Sequence, residues 1–173
     1  KIVPESDNSH VAMAVNLDAC INCNLCVRAC REVQVNDVIG MGNRGHVSQV
    51  IFDFNDPMGD SSCVSCGECV QVCPTGALME SNLLNEKGKK VINPDRKVDS
   101  LCPYCGVGCQ LTYNIKDEKI VSVDGREGPA NHNRLCVKGR FGFDYVHNPE
   151  RITKPLIRKK GIKTDPKEKL DPL

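Results

Sequence analysis

Between residues 110 and 124 apolar and polar side chains alternate. Leu111, Tyr113 and Ile115 share one face, Lys116-Asp117-Glu118-Lys119 breaks the pattern, and Ile120, Val121 and Val123 resume it before Asp124-Gly125. A period of two across a short charged break predicts a β-hairpin. A weaker alternation over Val47-Ser48-Gln49-Val50-Ile51-Phe52-Asp53-Phe54 predicts one strand, and Gly40-Met41-Gly42-Asn43-Arg44-Gly45 before it predicts a turn. A phosphate cradle would need a strand before those glycines and a helix after them, and neither is visible. Phe141, Tyr145 and Val146 could form the apolar face of a short helix. No apolar run reaches the length of a membrane span.

These elements are too few to enclose a large core. The chain of 173 residues is 40% hydrophobic and 4% aromatic, without tryptophan, and its mean hydropathy is -0.33. Twelve cysteines point to metal or disulfides as the missing support. Lys and Arg (23) balance Asp and Glu (22), which gives no basic stripe for nucleic acid. The N-terminus lacks the apolar stretch of a signal peptide. The expectation is therefore a cytoplasmic address, although a chain that opens on Lys1 can be a trimmed one.

The cysteines fall into three groups. Cys20-x2-Cys23-x2-Cys26-x3-Cys30 is repeated as Cys63-x2-Cys66-x2-Cys69-x3-Cys73, followed by Pro74. This spacing resembles that of bacterial two-cluster ferredoxins, in which three close cysteines hold one iron-sulfur cube and the fourth reaches across to the other. The resemblance implies one cube on Cys20, Cys23, Cys26 and Cys73, and a second on Cys63, Cys66, Cys69 and Cys30. A helix is expected to start at each fourth cysteine. Thr75-Gly76-Ala77-Leu78 is expected to cover a cluster, and Arg31 stands where the second half has Pro74. Structural zinc uses paired knuckles rather than three thiolates per loop, and disulfides need an oxidising compartment. Residues 31–62 form an insertion between the halves.

Residues 82–99, rich in Lys, Asn and Glu, read as a linker. Beyond them come Cys102, Cys105 and Cys109, with Cys136 farther on. Four thiolates suit another cube or an all-cysteine zinc, and spacing alone does not separate these. The two clusters upstream favour iron. The hairpin would return Cys136 to the other three. His10, His46, His132 and His147 lie outside the cysteine spacings and read as surface or packing residues, and Arg126 reads as a turn residue.

Leu101-Cys102-Pro103-Tyr104-Cys105-Gly106-Val107-Gly108-Cys109 and Cys136-Val137-Lys138-Gly139-Arg140-Phe141-Gly142 together resemble the N-terminal cluster domain of molybdopterin-dependent oxidoreductases. With a two-cluster unit in front, residues 15–157 resemble the catalytic subunit of cytoplasmic molybdenum- or tungsten-containing formate dehydrogenases.

The resemblance implies an α+β chain carrying three 4Fe-4S clusters. A two-cluster ferredoxin-like domain would occupy residues 1–81, a small β-rich 4Fe-4S domain residues 100–157, and a polar tail or truncated start of a further domain residues 158–173. It also implies that Lys138 lies between the third cluster and a pterin of a Mo- or W-bis(molybdopterin guanine dinucleotide). Most of that cofactor, and the catalytic residues, would belong to the remainder of the catalytic subunit. Electrons from formate would pass to a flavin and iron-sulfur subunit that reduces NAD, or to a ferredoxin. The same segment of an assimilatory nitrate reductase, or a stand-alone ferredoxin-like carrier, are the alternatives.

Overall fold

The computed structural model describes residues 4–157; residues 158–173, read above as a tail, lie outside the described residues. The chain is α+β, with short helices and three small antiparallel sheets. It divides into a unit ending at Phe143 and a second beginning at Asp144.

In the first unit, strand β1 (Met13–Val15) lies before the first cysteine group and pairs with β4 (Leu78–Glu80) after the second, with Met13 opposite Glu80 and Val15 opposite Leu78. This pairing closes the repeated half on itself. The inserted segment folds as a hairpin of β2 (Ile39–Gly42) and β3 (Gln49–Phe52). The expected strand is present, but Gly40 and Gly42 lie in its partner instead of in a turn. A Cβ on Gly42 would come within 2.7 Å of Ile51 Cγ2, so glycine admits the neighbouring side chain. The turn falls at Asn43 and Gly45, both with positive φ.

Each cysteine loop leads into a helix, α1 (Leu25–Arg28) and α2 (Glu68–Val72). The two halves repeat one backbone device. Asn22 and Asn24 in the first loop, and Ser65 and Gly67 in the second, all have left-handed φ, which curls the chain around its thiols. The expectation that a helix starts at each fourth cysteine is corrected. Both helices start one residue before the third cysteine, and Cys73 ends its helix with ψ 114. Pro74 excludes the helical region for the residue before it. Arg31 imposes no such limit, so a wide helical turn continues over Ala29–Val33 past Cys30. One core, with Met13, Val27, Ile39, Val50, Phe52, Met58 and Leu78, lies under these elements.

The remaining strands form a meander of β5 (Arg96–Leu101), β6 (Gln110–Lys116) and β7 (Lys119–Gly125). Asp117 and Glu118 both have positive φ, the two-residue turn whose twist matches its strands. The stretch read as a linker already contains Arg96–Asp99 of β5. Its polar composition is that of an exposed edge strand, which has no buried face to show an alternation. Leu111 and Val123 are fully buried against Leu135 and Phe143 in a second small core.

Helix α3 (Val137–Phe141) follows Cys136. The helix expected to include Phe141, Tyr145 and Val146 is two separate pieces, since α3 ends at Gly142 and Asp144–His147 forms a single 3-10 turn. In the second unit the Arg151 guanidinium stands over the Tyr145 ring, 5.3 Å from its centroid.

Candidate iron-sulfur sites

The folded chain brings thiols of each cysteine group near one another, and the first two groups near each other. Burial, with a smaller contribution from the neighbouring Cys20, Cys73 and Cys23, pushes the Cys26 thiol up to about 11. Cys69 is raised well above its ordinary value, first by burial and then by Cys66, Cys63, Cys26 and Cys30. Burial, followed by Cys102, Cys105 and Cys136, raises Cys109. Cys30 therefore faces the second loop and Cys73 the first, while Cys136 returns to the third group. Four crowded thiols resist ionising together unless a cationic group compensates them.

Among the described residues no group of three or more His, Cys, Asp and Glu side chains is gathered to hold one metal ion. A cavity lined by Cys20, Cys23, Cys26 and Cys73 also has Val50, Ala77 and Leu78 in its wall, apolar side chains of the kind that surround metal groups in proteins.

Backbone donors turn toward the sulfurs in both halves. Asn22 N–H donates to Cys20 Sγ and Ser65 N–H to Cys63 Sγ, both at 3.4 Å. Val38 N–H donates to Cys30 Sγ at 3.3 Å. At Cys73 burial acts to raise the pKa, but the N–H groups of Leu78, Thr75 and Ala77 and the Thr75 hydroxyl outweigh it, so the thiol is lowered. Donors aimed at sulfur stabilise negative charge there.

Around the third set, Cys102 N–H donates to the Cys109 carbonyl at 2.8 Å and closes the loop. Tyr104 Oη donates to the Gly142 carbonyl, tying that loop to the end of α3. Cys105 and Cys136 are exposed, as are Val107, Val137 and Lys138. Lys138, in the first turn of α3, thus lies on an open rim beside this set.

Two of the histidines have partners other than the thiols. His10 is buried; its Nδ1 accepts from the N–H groups of Ala12 and Met13, and its Nε2 bonds Ser65 Oγ at 3.0 Å. This packs β1 against the second cysteine loop. Exposed His132 pairs with Glu127 at 3.2 Å. Arg126 lies 3.7 Å from Asp99 and so does more than make a turn.

Sequence reasoning missed a buried ion pair, Glu68 with Arg140 at 2.7 Å, whose side chains are 5% and 1% exposed. Removing one member of so buried a pair costs about 3–5 kcal/mol. The available signal was a difference between the repeats: Glu68 occupies the place of Leu25, yet Leu25 is 40% exposed and Glu68 only 3%.

Residues 95–148 match the family described as Molybdopterin oxidoreductase Fe4S4 domain, and residues 19–77 the 4Fe-4S dicluster domain. The chain is an iron-sulfur segment of the molybdopterin oxidoreductase family. Among its relatives, a Staphylococcus haemolyticus protein provisionally named a formate dehydrogenase is 35% identical over 83% of this chain and 18% of its own length. A Bacillus subtilis protein provisionally named an oxidoreductase is 35% identical over 88% of this chain and 19% of its own. The chain thus spans about a fifth of the length of these relatives. A solved NAD+-reducing NiFe-hydrogenase is 28% identical over 45% of this chain and 33% of its own, at a TM-score of 0.41, a likeness too small to carry an argument. No helix among the described residues is long and apolar enough to cross a membrane.

Proposed function

We propose that this chain is the electron-relay part of a formate dehydrogenase, with three 4Fe-4S clusters held by its three sets of thiols. What supports the reading is that Cys73 lines one cavity with Cys20, Cys23 and Cys26, while Cys30 neighbours Cys63 and Cys66 and Cys109 neighbours Cys102, Cys105 and Cys136. Cys20, Cys23, Cys26 and Cys73 would hold one cluster, Cys63, Cys66, Cys69 and Cys30 the second, and Cys102, Cys105, Cys109 and Cys136 the third. When bound, such clusters supply one-electron carriers, and a Mo- or W-bis-pterin centre elsewhere in the enzyme supplies the oxidation of formate to carbon dioxide, two electrons and a proton.

The chain's own residues bind, shield and tune. Val50, Ala77 and Leu78 give the first site an apolar wall. The N–H groups of Asn22, Ser65 and Val38 aim positive charge at ligand sulfurs. Lys138 is exposed where the third site is open, a position from which a cation can meet the pterin and offset the charge of a thiolate-bound cluster. A flavin and iron-sulfur subunit that reduces NAD, or a ferredoxin, would take the electrons from the other end.

The test is anaerobic electron paramagnetic resonance of the enzyme that contains this chain. Formate is expected to reduce the clusters of the oxidised enzyme. Clusters that stay oxidised with formate, but are reoxidised by nitrate after reduction with dithionite, would overturn the formate assignment in favour of a nitrate reductase.

A further inference from the structure

Residues flanking ligands of the second set are tied to the segment before Cys136. Glu68 Oε1 accepts from Leu135 N–H at 3.2 Å and from Arg140 Nη2 at 2.7 Å. Gln34, four residues after Cys30, donates to the Leu135 carbonyl at 3.2 Å. Gln71, two residues after Cys69, donates to the Asn133 carbonyl and accepts from Gly125 N–H, both at 3.0 Å. In return Arg140, on the helix that follows Cys136, reaches into the second loop and donates from Nε to the Cys66 carbonyl at 2.8 Å. Gly67 makes room for it, since a Cβ there would lie 2.1 Å from Arg140 Cδ.

We propose that the Glu68–Arg140 pair is a positioning device that fixes the second and third cluster sites as neighbours in the relay and sets the reduction potential of the second. The inference rests on the reading that the thiol sets hold clusters. It deepens that reading by ordering the sites: third, then second, then first, with the first nearest the exit.

Two physical arguments support it. Electron transfer falls steeply with distance, so a rigid link between two ligand segments matters more than its contribution to folding. A buried ion pair also stabilises a fold no better than an apolar pair of the same shape. This pair, however, places a permanent cation on the carbonyl of a ligand cysteine, in a low-dielectric interior where charge acts strongly on a nearby redox group. The step it favours is a single electron: the third site is oxidised as the second is reduced, with no bond made or broken and no proton moved.

The test uses the cluster-loaded enzyme with Glu68→Gln and Arg140→Lys, iron and sulfide being measured first. Reduction potentials and the magnetic interaction between clusters are then read by electron paramagnetic resonance. Glu68→Gln removes a negative charge beside the second site and is expected to raise that potential while the first stays unchanged. Arg140→Lys cannot span both Glu68 and the Cys66 carbonyl and is expected to weaken the interaction between second and third clusters.

Loss of only the second and third clusters, with the first retained, would also support the proposal. An unchanged second potential and an unchanged interaction at full iron would overturn it, and so would loss of all three clusters in both variants, which assigns the pair to folding alone. If Arg140→Lys does not load, the nearly isosteric Glu68→Gln decides on the potential. A parent enzyme short of iron at these cysteines would instead overturn the reading beneath the proposal.

Discussion

The side-chain amide of Asn131 holds the backbone of Gln110 from both sides, accepting its N–H and donating to its carbonyl, each at 2.9 Å. The same Nδ2 also donates to the carbonyls of Arg126 and Arg134, at 3.2 and 3.1 Å. Gln110 follows Cys109 and Arg134 stands two residues before Cys136. One buried amide therefore joins the near and distant members of the third set.

Asn131→Ala leaves those backbone groups without partners in a buried place. We expect a loss of about 3 kcal/mol, read by denaturant unfolding of the loaded protein, with the third cluster released first. Full iron and an unshifted midpoint would show that the loop holds without the amide.

Cys105→Ala should remove the third cluster and leave the first two. Metal binding and folding are coupled in small sites, so protection of β6 and β7 amides from hydrogen exchange should fall with the iron. Iron analysis is the check, and full cluster content in this variant would contradict the assigned ligands.

Gly67 has φ +74 and faces Arg140. Gly67→Ala should destabilise by roughly 1–3 kcal/mol through backbone strain and collision. Gly40→Ala is the comparison, because nothing lies within 4 Å of a Cβ there, and its melting temperature should scarcely move. Equal melting temperatures for the two variants would refute the claim of a packed interface at Gly67.

Glu80 is buried on β4. Burial raises its pKa to about 7; Arg140 and Lys90 act to lower it and Asp124 to raise it. A carboxyl whose folded value lies above its unfolded one favours folding while protonated. Its contribution is fully present below about pH 4.5 and is lost as pH rises to about 7, with a slope approaching about 1.4 kcal/mol per pH unit. Subtracting the stability profile of Glu80→Gln from that of the parent should isolate this fall. A flat difference between pH 4.5 and 7 would show that Glu80 titrates normally.

The cysteine spacing made the three groups legible, and the resemblance to two-cluster ferredoxins implied which fourth cysteine joins which. The hairpin around Asp117 and Glu118 was equally legible, since alternation and a short polar break are local signals. What escaped was decided by contact between distant segments. Glu68 and Arg140 stand 72 residues apart, and nothing local in the sequence marks them as partners before the fold buries them together. Gly42 read as part of a turn because nothing local announces Ile51 across the hairpin. The helix expected to start at each fourth cysteine starts instead before the third in both halves, and Pro74 stops it at Cys73 where Arg31 lets it continue past Cys30. Edge strand β5, exposed along most of its length, carries no apolar face and so resembled a linker.

The most direct test of the central claim is the iron, acid-labile sulfide and zinc content of the anaerobically prepared protein. About twelve irons and twelve sulfides per chain, with no zinc, are predicted for three cubes on twelve cysteines. Zinc in place of iron at any of the three sets would contradict the account and break the proposed electron path there.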